Sequence, residues 1–177
     1  MRCFAAVEIS EQVRDSIREL QRTLPGQGLR PVSPANLHFT MKFFGECTEK
    51  DVDNISQALA HIAQKHGPFT AVVKGIGTFP TPAFIKVVWI GCSELLPLMT
   101  VVDTAFALSY PAEKPVPHLT LCRVGTGADY ESIRQFVKAH EGYEAGFMNV
   151  SEFKLKSSTL TSRGPVYQDV AVFRLSL

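Results

Sequence analysis

The residues best suited to chemistry occur as one short pattern written twice, His38-Phe39-Thr40-Met41 and His118-Leu119-Thr120-Leu121. Histidine is the side chain whose ordinary titration straddles neutrality, so one ring of a pair can be charged while the other is not. Thr, Phe, Met and Leu around each histidine, with breakers on either side, read as strands. Residues two apart on a strand share a face, so each copy presents an imidazole beside a hydroxyl. Two imidazoles facing across a small gap suit general acid–base chemistry at a phosphodiester, one ring taking a proton as the other gives one.

The likeness extends past the quartet. The fifth residue after each histidine is large (Phe43, Arg123), the seventh is glycine (Gly45, Gly125), and a helix-like stretch with acidic residues follows. This is the signature of an internal repeat. Two such units packed face to face about a pseudo-twofold axis bring both imidazoles and both hydroxyls to one cleft. Alternation places Lys42 on the face of His38 and Thr40, and turns Phe43 and Arg123 away unless each strand ends or bulges before them.

The elements that must carry these groups are legible in outline. Cys3 to Ile9 reads as a central strand. Ser10 caps a helix with Val13, Ile17, Leu20 and Leu24 inward, ended by Pro25-Gly26. A Gly- and Pro-rich loop holding Arg30 leads to the first motif strand, expected over 36–44. Thr48 and Asp51 form a capping box for a helix with Val52, Ile55, Leu59 and Ile62 inward, which leaves His61 and His66 facing solvent. Phe69 to Phe79 and Phe84 to Ile90 form a hairpin around Pro80-Thr81-Pro82. Ser93 opens a third helix, with Leu95, Met99, Val102 and Phe106 inward, and a Pro-rich loop rigidifies the approach to the second motif strand, 118–124. Asp129 to His140 is a fourth helix, with His140 in a structural role at its end. Phe147 to Leu160 and Val166 to Leu175 form a second hairpin around Arg163-Gly164-Pro165. Strand, helix and hairpin recur in both halves, which gives an α+β class.

Composition narrows the rest. At 177 residues the chain fits one domain, residues 1–177, with a sizeable core. A net charge of +1 offers no global field for long nucleic acid, so any nucleotide contact must be local. Cys3, Cys47, Cys92 and Cys122 are widely spaced, with no zinc pattern, and read as reduced, buried thiols. No metal or cofactor is expected. The opening apolar run is too short for a signal peptide and no stretch approaches a membrane span, so a soluble, cytoplasmic monomer is expected.

The paired motifs, half a chain apart and each starting a strand, resemble the two-histidine (2H) phosphoesterases, specifically the bacterial RNA 2′,3′-cyclic phosphodiesterases also called 2′-5′ RNA ligases. Supporting stretches are Cys3-Phe4-Ala5-Ala6-Val7-Glu8, residues 36–46, Val87-Val88-Trp89-Ile90-Gly91, residues 117–123, and Gly164-Pro165-Val166-Tyr167. The resemblance implies a bilobal fold in which two antiparallel sheets flank a central cleft, with helices outside. It implies metal-free hydrolysis of RNA 2′,3′-cyclic phosphate ends to 2′-phosphates, with reversible 2′-5′ ligation in some members. His38 and His118 are then the catalytic pair, His118 as base and His38 as acid toward O3′, although spacing alone permits the reverse. Thr40 and Thr120 bind phosphate oxygens, Arg123 lies near the phosphate, and Phe43 stacks on a base.

Among the remaining basic residues, Lys42, Lys74, Lys86, Arg30 and Arg163 are candidates for a rim that meets RNA phosphates, Lys86 foremost because it precedes Val87-Val88-Trp89. Two alternatives use the same residues. One is a phosphodiesterase for small cyclic nucleotides or ADP-ribose cyclic phosphate. The other is a non-catalytic module that binds RNA ends.

Overall fold

In the computed structural model of the chain, residues 1–162 and 164–177 are described. Strand β1 (Arg2–Glu8) buries all five of its interior residues, which makes it a central strand. It leads into helix α1 (Glu11–Arg22), whose first turn is closed by the Ser10 hydroxyl accepting from the Val13 N–H at 3.3 Å. Val13, Ile17 and Leu20 form its buried stripe. A short strand β2 (Leu29–Pro31) and a 3₁₀ turn at Pro34–Asn36 precede the first motif strand, β3 (His38–Glu46). The expected strand start at residue 36 falls in that turn, because Asn36 N–H is tied back to Ser33 O at 2.8 Å.

Helix α2 (Glu49–Ala63) begins with the expected capping box, Thr48 and Asp51 each accepting from the other's backbone N–H. The hairpin of β4 (Phe69–Thr81) and β5 (Phe84–Gly91) follows, then a 3₁₀ turn, Ser93–Leu95, that runs into α3 (Leu96–Ala105). The second motif strand β6 (His118–Val124) is followed by α4 (Tyr130–Ala139), β7 (Glu144–Val150), β8 (Glu152–Thr161) and β9 (Gly164–Arg174). Among the described residues, no helix is long and apolar enough to cross a membrane.

The strands make two antiparallel sheets, ordered β3-β1-β8-β9 and β2-β6-β5-β4-β7. Neither sheet is built from one half of the sequence. The early hairpin β4–β5 pairs with the second motif strand, while the late hairpin β8–β9 pairs with β1 beside the first. Helices cross over too. Helix α1 packs on β7 and β6 with α4 on β4 and β5, whereas α2 and α3 cover β9 and β3 of the other sheet.

Two sequence expectations are corrected by this topology. Phe147 to Leu160 is two strands, because Ser151 interrupts the run and its carbonyl is taken by Leu175 N–H at 2.9 Å. The chain there passes from one sheet to the other. His66, expected in solvent, is half-buried with its Nδ1–H on Ile62 O at 2.7 Å, while His61 is exposed. His140 caps α4, its ring bonded to Phe136 O at 2.8 Å and packed on the Phe136 ring. All four cysteines are buried free thiols, and burial pushes Cys47 and Cys122 up to about 11 and Cys92 up to about 12.

Candidate active site

His38 and His118 each stand at the first position of their strands, and the backbone holds both rings in the same way. The Nδ1–H of His38 donates to Asn36 O at 2.7 Å, and that of His118 to Val116 O at 2.7 Å. A carbonyl can only accept, so Nδ1 carries the proton in each neutral ring and Nε2 is left as the working nitrogen. In the first copy Nε2 lies 2.9 Å from Thr40 Oγ1, the imidazole–hydroxyl pairing anticipated from strand alternation.

The alternation then breaks in the same place in both strands. Against β1, Ala6 is opposite Thr40 and Ala5 opposite Lys42, which leaves Met41 as an extra residue. Against β5, Trp89 is opposite Thr120 and Val88 opposite Cys122, which leaves Leu121 as an extra residue. A single inserted residue reverses the facing of everything after it. Met41 and Lys42 are consecutive buried residues, as are Leu121 and Cys122, and Phe43 and Arg123 emerge on the histidine face. The same bulge overturns the expected position of Lys42. It is 1% exposed, with Nζ paired to Asp103 and donating to Pro111 O at 2.7 Å.

The two sheets enclose a cavity of about 180 Å³ lined by His38, Thr40, Phe43 and Tyr167 from one side and by His118, Thr120, Arg123, Val87 and Phe79 from the other. An adjoining cavity of about 280 Å³ shares Thr40, Phe43, Phe79 and His118 and continues to Met99, Lys114 and Val116. Phe43, 59% exposed, stands at the boundary of the two. Lys86 is not in this assembly. It lies exposed with Nζ over the Phe84 ring at 5.1 Å, at a register irregularity between the Phe79–Val87 and Pro80–Ile85 pairs, and lines neither cavity. Lys74 lies against a separate surface hollow with Gly75 and Glu141, and Arg163 lies outside the described residues.

Several groups around the rings were not assigned a part from sequence. Phe4 and Tyr167 pack on His38 at centroid distances of 5.1 and 5.3 Å, and Phe79 meets His118 edge-on at 4.8 Å with Trp89 behind it at 6.3 Å. Trp89 in turn lies over Gly77, where a Cβ would stand 2.3 Å from the indole. Past His38, Lys154 and Lys156 alternate with Glu8 and Asp169 in a ring of ion pairs at 2.5–2.8 Å. The register that sets Glu8 opposite His38 was not readable from local patterns. Burial lowers the pKa of His38, with Lys156 and His118 adding like-charge repulsion against the opposing effect of the Asn36 carbonyl and Glu8.

A protein-family model described as LigT like Phosphoesterase matches residues 7–89, which include the first motif. Proteins named RNA 2′,3′-cyclic phosphodiesterase match over both motifs. The relative from Methanothermobacter thermautotrophicus is 36% identical over 182 residues, covering 99% of each chain. The chain belongs to the LigT-like phosphoesterase family. A second such relative, from Archaeoglobus fulgidus, is 32% identical over 98% of this chain and 99% of its own. Among solved structures, TT0787 of Thermus thermophilus superposes with a TM-score of 0.84 at 29% identity, over 99% of this chain and 98% of that one. E. coli LigT in complex with phosphate shares the fold, with a TM-score of 0.78 at 24% identity and coverage of 99% and 98%. This LigT-like chain thus has the α+β architecture of two antiparallel sheets with helices outside.

Proposed function

We propose that this LigT-like phosphoesterase opens the 2′,3′-cyclic phosphate at an RNA end by acid–base catalysis between His38 and His118, leaving a 2′-phosphate. The observation that carries the reading is that both imidazoles, both threonine hydroxyls and Arg123 line one small cavity between the sheets. The named relatives support the choice of reaction and substrate.

The phosphodiester anion sits between the rings, its non-bridging oxygens on the Thr40 and Thr120 hydroxyls and the Arg123 guanidinium. These donors stabilise the added negative charge as water attacks phosphorus. His118 Nε2 takes the proton of the attacking water. His38 Nε2 gives one to O3′ as the P–O3′ bond breaks, so the proton count on the pair is restored by exchange with solvent. Burial keeps His38 biased toward its neutral form before substrate arrives, and the anionic phosphate offsets that bias once bound. A base rests on Phe43, at the mouth where the two cavities join. Attack of a 5′-hydroxyl in place of water on the cyclic ester gives a 2′-5′ linkage with each histidine in the same role, and cleavage of that linkage back to the cyclic ester exchanges the roles.

The test compares an oligonucleotide 2′,3′-cyclic phosphate with 2′,3′-cyclic mononucleotides and ADP-ribose cyclic phosphate, all with a chelator present. The expected result is turnover of the oligonucleotide at the highest kcat/KM. Preference for ADP-ribose cyclic phosphate, or turnover that the chelator abolishes, overturns the proposal.

A further inference from the structure

At the edge of the cleft, outside the lining of its cavities, stands a second arginine whose placement the acid–base step does not use. Arg30, in the three-residue strand β2, lies directly opposite Arg123 in the β2–β6 register, so the two side chains share the cleft face of their sheet. Like charges in that relation repel, and residues so paired have Cα atoms about 5 Å apart. No carboxylate among the described residues forms an ion pair with either arginine, while Glu8 and Asp169 on the facing sheet are taken by Lys154 and Lys156.

The backbone is built to hold this arrangement. Gly125 N–H donates to Gly28 O at 2.7 Å and Val32 N–H to Leu121 O at 3.0 Å, and Gln21 Nε2 clamps Val32 O and Leu121 O at 2.9 and 2.8 Å. At Gly28, φ is +79° and a Cβ would stand 2.7 Å from Ala128 N. The Arg30 guanidinium lies across Gly125, where a Cβ would meet its nitrogens at 3.4 and 3.6 Å. Along β6 the cavity-lining residues run from His118 through Thr120 to Arg123, and Arg30 stands beside Arg123 on the neighbouring edge strand.

We infer that Arg30 is a binding site for the next phosphate of the RNA strand, the diester on the 5′ side of the terminal nucleotide, and that it makes the enzyme favour strand ends over single cyclic nucleotides. This rests on the proposed reaction and adds the length of substrate that it takes. Two unpaired guanidiniums one strand apart match two successive phosphates of a single strand, and an anion between or beside them relieves their repulsion.

The experiment measures kcat/KM for wild type and Arg30→Met on a 2′,3′-cyclic mononucleotide and on a cyclic-phosphate-ended trinucleotide, over a series of salt concentrations. Methionine keeps an unbranched stem against Gly125, and a thermal melt confirms the fold. The expected result is a loss of about tenfold on the trinucleotide, carried in KM, with the mononucleotide unchanged and the salt slope on the trinucleotide reduced by about 0.7. An equal loss on both substrates, or none on either, overturns the inference while the reaction stands. A wild type that opens neither substrate overturns the reaction itself and the inference with it.

Discussion

Nε2 of each imidazole is the atom that exchanges protons, since Nδ1 is committed to the carbonyl two residues earlier. Replacing His38 or His118 by alanine is expected to cost about 10²–10⁴-fold in kcat/KM while leaving the melting transition in place. An aryl leaving group needs little protonation, so it should rescue His38→Ala and not His118→Ala; the opposite pattern exchanges acid and base. The pH profile follows from the depressed His38 pKa. A doubly charged pair loses its first proton below the ordinary histidine value of 6.5, so activity rises with pH through that lower value and falls when the second proton leaves. Lys156→Met removes a like charge and moves the rising limb of kcat/KM upward; a rising limb at or above 6.5 in the wild type contradicts the account. Lys42 acts on stability instead. Lys42→Ala leaves Asp103 facing a vacated, largely buried site and should cost about 3 kcal/mol in denaturant unfolding.

At the scale of the strand, the two bulges decide which side chains reach the cleft. The His and Thr faces were legible because alternation over two residues needs no outside information, and the Ser10 and Thr48 caps because they are local. The extra residues at Met41 and Leu121 were not legible. Nothing in their own side chains marks a bulge, which is set by pairing with β1 and β5, far along the chain. That is why Lys42 was misplaced and why Phe43 and Arg123 needed a condition to face inward. The break at Ser151 was hidden for a related reason, since each side of it reads as strand and only the exchange of sheets separates them. Packing between strands gives a further prediction. Gly77→Ala forces the Trp89 indole off its seat, and with it the aromatic wall behind His118. Trp89 is the single tryptophan, so the variant should show altered emission together with a loss in kcat; a full rate with unchanged emission would show that the wall has slack.

For the molecule as a whole, the exchange of hairpins and helices between sheets ties both motif strands to elements from the other half of the sequence. A cleft built this way keeps its two sides in fixed relation, because neither sheet can form without strands from both halves. Net charge of +1 leaves binding to the cleft's own donors. The central claim is that two imidazoles on opposite sheets act on one phosphorus, and its most direct measurement is ³¹P NMR of an RNA oligonucleotide 2′,3′-cyclic phosphate incubated with the protein and a chelator. The account predicts a single 2′-phosphate product with wild type and unreacted cyclic ester with folded His38→Ala and His118→Ala. A 3′-phosphate product, or wild-type conversion by either variant, would contradict it.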